Sequence, residues 1–401
     1  MNVIGIIAEY NPFHTGHAHQ IAESRQLLGS DCPVVVVMSG CWVQQADCAI
    51  ADKWTRSRLA LQGGADLVLE LPTPWATASA ERFAHGAVSI LESTGVVTNL
   101  SFGSECGCAH YLEQVAELLE SAEYRTELAV QLDRGLSFPA ARQAAIFQLD
   151  ASFSPLLDGA NNTLGIEYIR ALHTLNSSIQ PLTIPRQGAG HNSLVDQNSV
   201  PFVSATQIRQ ALRSGDWESA APFMLPNEGT LIRSGGGPSC LSLVERAILT
   251  RLRMMCAEDW AKLPDSGQSE GLPCRLERAA AQATSLEEFF TLAKTKRYTH
   301  ARLRRLALWA WLGLTADDFP TAPPYLRVLG FNDTGRDLLK QMKKKAALPI
   351  LTKPAHARGL DAVGERLFRL EARCTDLYDL CLAQIPTPGR EWTTGPVILL
   401  P

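Results

Sequence analysis

The chain has 401 residues, of which 46% are apolar and 19% are charged, and its formal net charge is -4. This composition is typical of a globular protein with sizeable cores and excludes a disordered or fibrous chain, and the length predicts two domains. The longest apolar runs, at residues 33–38 and 306–314, are far shorter than the roughly 20 residues of a spanning helix. The N terminus lacks the basic segment of a signal peptide. We therefore expect a cytoplasmic protein with no membrane partner.

The first part of the chain alternates apolar runs with helical patterns, which predicts βαβ units and a mostly parallel sheet. The predicted strands lie at residues 3–8, 34–38, 67–71, 99–102 and 181–185. The predicted helices lie at residues 17–28, 52–63 and 79–94, within a helix-rich stretch at 109–147, and at 162–175 and 206–213. Either Ser204 or Thr206 would cap the last helix. The predicted fold class is therefore α/β.

A turn-rich stretch, with the sequence RSGGGP at residues 233–238, predicts a linker at 226–240 between a domain at 1–225 and a second domain at 241–401. Helical periodicity dominates residues 241–312, so the second domain is expected to be mainly helical. Residues 291–358 contain 14 Lys or Arg and 4 acidic residues, a local charge of +10. Such a segment favours a polynucleotide partner, with a solvated basic surface as the alternative. Trp309 and Trp311 lie in an apolar run and are expected in the core.

The most informative segment lies between the first predicted strand and the first predicted helix, where His14, Gly16 and His17 follow one another closely. In open α/β sheets, ligands bind outside the carboxyl ends of strands, and the N–H groups at a helix start attract phosphate. Imidazole donors there could stabilise a transferring α-phosphate. The alternatives are a metal pair completed by His19 or Glu9, and a capping histidine beside a core histidine. Because no further ligand appears at a usual spacing, we expect no metal site.

This segment resembles the HxGH signature of the HIGH-type nucleotidyltransferase superfamily, whose members attack the α-phosphate of ATP and release pyrophosphate. Further motifs follow it in order and resemble the bacterial tRNA(Met) cytidine acetate ligase family, so the resemblance covers both predicted domains. The motifs are EYNPFH at 9–14, VMSG at 37–40, DKW at 52–54, GADLVLELP at 64–72, FGSE at 102–105, NNTLG at 161–165, SATQIR at 204–209 and TKRYT at 295–299.

The resemblance implies a Rossmann-like nucleotidyltransferase domain followed by a mainly helical tRNA-binding domain. The implied enzyme is a ligase that activates acetate with ATP as acetyl-adenylate. It would then acetylate the wobble cytidine of elongator tRNA(Met) to N4-acetylcytidine. ATP would bind as its Mg2+ complex, with no tightly bound cofactor and no DNA partner. Two alternatives stay open: a nucleotidyltransferase that adenylates another small substrate, and a non-catalytic RNA-binding protein.

The resemblance also implies roles for individual residues, with His14 and His17 as the catalytic pair. The ATP contacts would be Ile7, Ala8, Glu9, Tyr10, Asn11, Pro12, Phe13, His14, Thr15, Gly16, His17, Ala18, His19, Gln20, Gly103, Asn161, Arg186, Thr206 and Arg209. Thr206 and Arg209 would hold the β- and γ-phosphates, unless they are an ordinary cap and a solvated arginine. Asn162 is as reachable as Asn161, so the choice between the two asparagines stays open.

The expected tRNA contacts lie mainly in the basic segment, where cations could contact phosphates and a tyrosine ring could stack on an unpaired base. They would be Lys53, Lys294, Lys296, Arg297, Tyr298 and Arg302. Lys53, with Arg56 or Arg58, could instead neutralise the leaving pyrophosphate or lie on a solvated helix face.

The chain departs from the family pattern at residues 41–48. The sequence CWVQQADC stands where members usually have an Asn and an Arg-Gly-Glu-Pro-like stretch. Gln45 therefore lacks a positive charge near the expected mouth of the active site. Cys41 is expected to be a packing cysteine, because no base partner is indicated and an acyl-adenylate mechanism needs no cysteine.

Overall fold

The computed structural model describes residues 2–186 and 204–399. The strands are β1 (Ile4–Ala8), β2 (Val34–Ser39), β3 (Trp42–Val43), β4 (Asp47–Cys48), β5 (Leu67–Leu71), β6 (Asn99–Ser104), β7 (Gln180–Pro185), β8 (Leu326–Phe331), β9 (Ile350–Leu351) and β10 (Val397–Ile398). The helices of the N-terminal half are α1 (Thr15–Leu28), α2 (Lys53–Gln62), α3 (Thr73–Ala76), α4 (Ala80–Ser93), α5 (Ala109–Glu120), α6 (Ala122–Asp133), α7 (Phe138–Leu149) and α8 (Ala160–Thr174).

The C-terminal half is mainly helical, as expected. Its helices, counted from residue 204, are α9 (Ala205–Ser214), α10 (Trp217–Ala220), α11 (Glu228–Ser234), α12 (Glu245–Arg253), α13 (Ala257–Ala261), α14 (Leu272–Gln282), α15 (Leu286–Ala293), α16 (His300–Leu312), α17 (Asp333–Lys345), α18 (Ala362–Asp379) and α19 (Arg390–Thr393). Trp309 and Trp311 of α16 are buried. Their predicted place in the core is confirmed.

The main sheet is mixed but mostly parallel, which confirms the predicted α/β class. Its strand order is β10-β8-β5-β2-β1-β6-β7, with β9 paired to β8. Only the β5–β8 pair of this sheet is antiparallel among the described strands. The five strands predicted from the sequence, β1, β2, β5, β6 and β7, are all confirmed.

The central strands are apolar on both faces, because helices cover the sheet on each side. Ile4 and Ile6 of β1 belong to one buried cluster with Ile21 of α1, whereas Val3 and Ile7 belong to the other with Leu91 of α4. Alternate residues therefore point to opposite faces, as the period of a strand requires. The two clusters fix β1 in the middle of the sheet.

The C-terminal part of the chain completes this sheet, which the sequence did not indicate. Leu67 of β5 lies opposite Phe331 of β8, and Val397 of β10 pairs with Gly330. The N-terminal sheet therefore includes strands from the segment expected to form a separate helical domain. The division into a domain at 1–225 and a second domain at 241–401 stays a prediction.

Residues 226–240, expected to form a linker, are packed against the N-terminal half. They contain α11, whose Ile232 is buried in a cluster with Ile50, Ile208 and Leu212. Ser239 is also buried and donates its backbone N–H to the carbonyl of Ile50 at 3.0 Å. The glycines after α11 thus lie in a turn between packed residues, and the role of the segment as a linker stays a prediction.

A buried ionic cluster joins α2 to the C-terminal part and corrects the expectation for Lys53. The Lys53 ammonium lies 2.7 Å from Glu70 of β5 and pairs with Glu391 of α19, which also pairs with Arg327 of β8. Burial alone would lower the pKa of Lys53, but Glu391 and Glu70 raise it, so the lysine is charged. Because its side chain has no exposed surface, Lys53 cannot contact tRNA or pyrophosphate in this structure.

Within the described ranges, every helix is too short or too polar to span a bilayer.

Candidate functional site

The strand order places a crevice at the carboxyl ends of β1 and β6. In the sheet, β2 lies on one side of β1, whereas β6 and then β7, which come later in the chain, lie on its other side. In open α/β sheets, ligands bind at this kind of switch point, because the loops leaving the two neighbouring strands diverge there. The segment with His14 and His17 leaves β1 at this edge, and Gly103 lies near the end of β6.

His14 and His17 cap the start of α1 reciprocally. The Nδ1 of His14 accepts a hydrogen bond from the Gly16 N–H at 3.0 Å, and the Nδ1 of His17 accepts one from the His14 N–H at 3.2 Å. The two rings stack with their centroids 3.8 Å apart. The His14 carbonyl also accepts from the N–H groups of His17 and Ala18. Several backbone N–H groups at the start of α1 are therefore already hydrogen-bonded within the protein. The imidazole rings are left as donors for a ligand.

Both histidines are neutral in the folded chain. Burial, assisted by the charge of Arg186, lowers the pKa of His14 to about 4. Burial, the neighbouring His14 and Arg186 lower the pKa of His17 well below its usual value. In a neutral imidazole whose Nδ1 accepts, the proton resides on Nε2. The site therefore presents two fixed Nε2–H donors, which suits hydrogen bonding to a phosphate oxygen.

Several side chains of the predicted ATP segment are buried and can reach a ligand only through the backbone. Ile7, Tyr10, Asn11 and Phe13 are at most 9% exposed. The Asn11 side chain accepts from the Ile50 N–H at 2.7 Å, and the Phe13 ring lies against Gly63, where a Cβ would come within 2.2 Å of the ring. Their role is to shape the loop between β1 and α1.

Arg56 of α2 holds this loop against the sheet, and the sequence did not identify this role. Its buried guanidinium donates to the carbonyls of Glu9 at 2.6 Å and of Ser39 at 3.1 Å, and also to the Gly40 carbonyl. The ends of β1 and β2 are thus tied together by one side chain. The sequence carried one signal for this role. Arg56 lies on α2 between two apolar residues, Trp54 and Leu59.

The other side of the crevice is built around Glu105, which follows β6. Burial would raise the pKa of Glu105, but hydrogen bonds from the Asn161 side chain and from the Asn161 and Asn162 backbone lower it. The Asn162 side chain is buried and accepts from the N–H groups of Glu105 and Cys106. Asn161 is less buried and accepts from Arg186 at 3.3 Å. Of the two asparagines, Asn161 is therefore the one available to a ligand.

Two further predicted contacts close the site from the side of α9. Arg209 donates to the Asn11 carbonyl at 2.8 Å and to the Thr206 hydroxyl at 3.0 Å. Ser204 is the N-cap of α9, which decides between the two predicted caps. Thr206 and Arg209 thus lie beside the loop that carries His14. Arg186 acts electrostatically on both histidines, so the predicted residues of both sides come together.

The 42–48 hairpin, formed by β3, β4 and the turn between them, covers Glu9. The Gln44 N–H donates to the Glu9 carboxylate at 2.9 Å, although burial raises the pKa of Glu9 overall. Gln45 is exposed at the tip of this hairpin, near the expected mouth of the site. Cys41 is buried, and burial raises the pKa of its thiol to about 12, which supports its interpretation as a packing residue.

Comparison with known proteins agrees with this geometry. A model of the HIGH Nucleotidyl Transferase family matches residues 1–390. The tRNA(Met) cytidine acetate ligase of Acetivibrio thermocellus is 37% identical over 420 residues, covering 100% of both chains. The chain belongs to the tRNA(Met) cytidine acetate ligase family. A second member, from Caldanaerobacter subterraneus, is 38% identical over 391 residues, covering 95% of each chain.

Solved structures of this family share the whole fold. The crystal structure of Thermotoga maritima TmcAL bound with alpha-thio ATP superposes with a TM-score of 0.91 at 33% identity, covering 100% of both chains. The apo crystal form of the same protein gives a TM-score of 0.92. The family fold therefore includes the C-terminal strands described above.

The basic segment that was expected to contact tRNA is only partly exposed. Lys294, Lys296 and Arg297 are exposed. Tyr298 is buried, and its hydroxyl donates to the Glu270 carbonyl at 2.9 Å, so its ring is not a stacking surface for a base. Arg302 donates to the Asp265 carbonyl at 2.8 Å and to the Glu270 carboxylate at 3.2 Å. The loop before α16 is thus braced by Tyr298 and Arg302 while its cations face solvent.

Among residues 2–186 and 204–399, no group of three or more His, Cys, Asp or Glu side chains is arranged to hold a metal ion. In particular, the stacked His14 and His17 each use their Nδ1 atom to accept a backbone hydrogen bond, so neither Nδ1 is available to bind a metal.

Proposed function

We propose that the chain is an ATP-dependent ligase that converts acetate to acetyl-adenylate and acetylates the wobble cytidine of elongator tRNA(Met). The observation that carries the proposal is the pair of neutral imidazoles, His14 and His17, fixed at the switch point of the sheet. The names of the family members support the tRNA substrate, and the TmcAL complex with alpha-thio ATP supports ATP. A tRNA substrate implies action in the cytoplasm, with no role for DNA.

In the first step, a carboxylate oxygen of acetate attacks the α-phosphorus of ATP. A new P–O bond forms, the bond to the bridging oxygen breaks, and pyrophosphate leaves. Negative charge increases on the α-phosphate oxygens in the transition state. The Nε2–H groups of His14 and His17 are pre-oriented to donate to such oxygens, and pre-oriented donors are the largest source of catalysis in reactions of this type.

The remaining ATP contacts follow from the same crevice. Gly103 leaves room at the end of β6, since a Cβ there would come 3.3 Å from the Arg186 side chain. Asn161 and Arg186 lie beside this opening and supply an amide and a guanidinium for the nucleotide. Thr206 and Arg209 lie at the start of α9, where they would hold the β- and γ-phosphates. Mg2+ would enter with ATP, coordinated mainly by phosphate oxygens.

In the second step, the exocyclic amine of the cytidine attacks the acetyl carbonyl carbon. The C–N bond forms, the bond from the carbonyl carbon to the phosphate oxygen breaks, AMP leaves, and the amine loses one proton. The exposed cations Lys294, Lys296 and Arg297 would contact RNA phosphates during this step. Residues 241–401 would thus serve mainly to hold tRNA.

The test of the first step is ATP–pyrophosphate exchange by the purified protein with formate, acetate, propionate and glycine offered separately. The proposal predicts exchange that depends on acetate and is far slower with the other acids. Exchange that prefers another acid would assign the chain a different small substrate. No exchange with any acid, together with tight RNA binding, would support a non-catalytic RNA-binding protein.

A further inference from the structure

A cavity of 310 Å³ lies between the tip of the 42–48 hairpin, the end of α9 and helices α12, α15 and α16. Its lining includes Gln45, Asp47, Arg213, Phe290, Arg304 and Leu308. We call it the hairpin cavity. Its volume lies at the lower end of the range of about 300–1,000 Å³ that is usual for small-molecule sites, so it suits a single ring system.

Two elements that line the hairpin cavity, the 42–48 hairpin and α9, also contact the loop after β1. Gln44, adjacent to Gln45 of the cavity wall, donates its N–H to Glu9 in the loop after β1. Arg213 lies one turn after Arg209 on α9, and Arg209 donates to the Asn11 carbonyl of the same loop. The charges of both Asp47 and Arg213 act on Arg209. A group held in this cavity would therefore lie next to the loop that carries the catalytic histidines.

The chemistry of the walls suits a pyrimidine base with an exocyclic amine. Phe290, Ala307 and Leu308 provide apolar surface for the faces of a flat ring. Also in the lining, the Asp47 carboxylate and the Arg213 guanidinium form an ion pair at 3.2 Å. A carboxylate accepts from the amine of cytosine, and a guanidinium donates to its ring nitrogen and carbonyl. The cavity thus combines a stacking surface with both kinds of polar partner.

The approach to the cavity is basic. Arg304 lines it from α16 and is exposed, and the described residues give it no hydrogen-bond or ion-pair partner. One turn later on the same helix, Ala307 and Leu308 form the apolar wall. The exposed Lys296 and Arg297 precede this helix in the chain. A phosphodiester backbone held at Arg304 would bring an unpaired base to the cavity entrance.

We propose that the hairpin cavity receives the acceptor pyrimidine base of the RNA substrate, turned out of its loop. The proposal rests on the proposed function and adds the binding site for the second substrate. Enzymes that modify a base within a polynucleotide commonly extrude it into such a pocket. Gln45, Asp47 and Arg213 would read the edge of the base, and Phe290 would stack on its face.

The first test compares two neighbouring substitutions, Ser242→Trp and Leu243→Trp. Ser242 lines the cavity, whereas Leu243 is 56% exposed and does not. The indole at position 242 should fill the entrance and abolish acetyl transfer to tRNA, while acetate-dependent ATP–pyrophosphate exchange continues. The Leu243→Trp variant should transfer acetyl groups like the unmodified protein. Normal transfer by a folded Ser242→Trp variant would overturn the proposal.

A second variant guards against misfolding of the first. Phe290→Ala should lower kcat/KM for tRNA by about 10-fold, the loss expected from one stacking contact, with exchange retained. Unchanged kcat/KM for tRNA would contradict the proposed stacking role of Phe290 and count against the proposal.

Photo-crosslinking locates the base directly. A stem–loop RNA with 5-iodocytidine at the acceptor position is irradiated with the intact protein, and the attached peptide is identified by mass spectrometry. Crosslinks within residues 42–48 or 286–308 would support the proposal, and crosslinks found only elsewhere would overturn it. If the unmodified protein shows no acetate-dependent exchange, the proposed function fails. If exchange and transfer occur but the cavity variants and crosslinks disagree with the proposal, only the cavity assignment fails.

Discussion

At the scale of single residues, the proton positions of His14 and His17 are set by the backbone. Each Nδ1 accepts an N–H of the loop or of the first helical turn, so each Nε2 carries the proton. The same bonds make His14 the N-cap of α1. The observed cap and the proposed catalytic donor therefore belong to one side chain, and substitutions can separate the two roles.

His14→Asn should keep the cap and remove the donor. Asparagine is among the best N-cap residues, so the free energy of unfolding should change little. Loss of one pre-oriented donor should lower kcat for adenylate formation by about 100- to 1,000-fold. His14→Ala should show the same loss of activity and a further destabilisation of about 1 kcal/mol. Exchange rates and urea unfolding of both variants measure the two effects.

If His14→Asn retained full exchange activity, His14 would be only a cap. Equal destabilisation of the two variants would contradict the capping role.

Histidine burial also predicts a pH dependence of stability. The pKa of His14 is lowered to about 4 in the folded chain, whereas an unfolded histidine has a pKa of about 6.5. The unfolded state therefore binds the extra proton first, and stability that is fully present above about pH 6.5 is lost as the pH falls towards 4. His14→Asn should lack this contribution. Between pH 7 and about pH 4.5, the unmodified protein should lose about 2–3 kcal/mol more of its free energy of unfolding than the His14→Asn variant loses. Urea unfolding of both proteins at several pH values measures this effect. If the difference between their free energies of unfolding did not change with pH, the burial of His14 would be contradicted.

At the scale of elements, the N-terminal βαβ units were predictable because their signals are local. Strand β2 is a continuous apolar run, and α4 has a clear apolar face. Strand β8 also has a local signal, since residues 326–331 are largely apolar, but its pairing with β5 depends on residues about 260 positions away. No pattern in the sequence specifies such a contact.

The site shows the same division between local and non-local information. His14, Gly16 and His17 form one continuous motif and were identified from it. The buried state of Lys53 could not be identified in this way, because its partners Glu70 and Glu391 come from distant parts of the chain. A lysine on a helix is solvated in most proteins, so the sequence favoured the wrong environment.

The buried ionic cluster predicts a large difference between two cations of α2. Lys53→Met should lower the free energy of unfolding by about 3–5 kcal/mol, because Glu70 would be left buried without its cationic partner and Glu391 would keep only the ion pair with Arg327. Arg58→Met, on the same helix but only half-buried, should cost less than about 1 kcal/mol. Urea denaturation of both variants measures the difference. Equal effects would show that the Lys53 cluster does not hold α2 to the C-terminal part.

At the scale of the whole molecule, the net charge of -4 conceals an uneven distribution of charge. Exposed cations lie in the loop before α16 and again at the end of α17. We assign only the first group to tRNA, because it directly precedes α16, the helix whose Arg304 lines the cavity. The second group therefore serves as a control with the same chemistry.

Charge reversal should separate RNA binding from adenylate formation. Lys296→Glu combined with Arg297→Glu should weaken tRNA binding. The slope of the logarithm of the binding constant against the logarithm of the salt concentration should become shallower by about 1 or 2, as expected when one or two phosphate contacts are lost. Acetate-dependent exchange should be unchanged. Lys343→Glu combined with Lys344→Glu should leave tRNA binding much closer to that of the unmodified protein. Filter binding at several salt concentrations measures these effects, and an equal loss for both pairs would contradict a specific RNA surface before α16.

In the proposed reaction, one chain joins acetate to a cytidine of elongator tRNA(Met) with ATP. The most direct test incubates the purified protein with ATP, Mg2+, 13C-labelled acetate and the tRNA, followed by nucleoside mass analysis. A transcript with uridine at the wobble position is the control. We expect labelled N4-acetylcytidine in the first tRNA, absent from the control and dependent on ATP. Absence of acetylcytidine from active, folded protein, or equal acetylation of both transcripts, would contradict the proposed reaction.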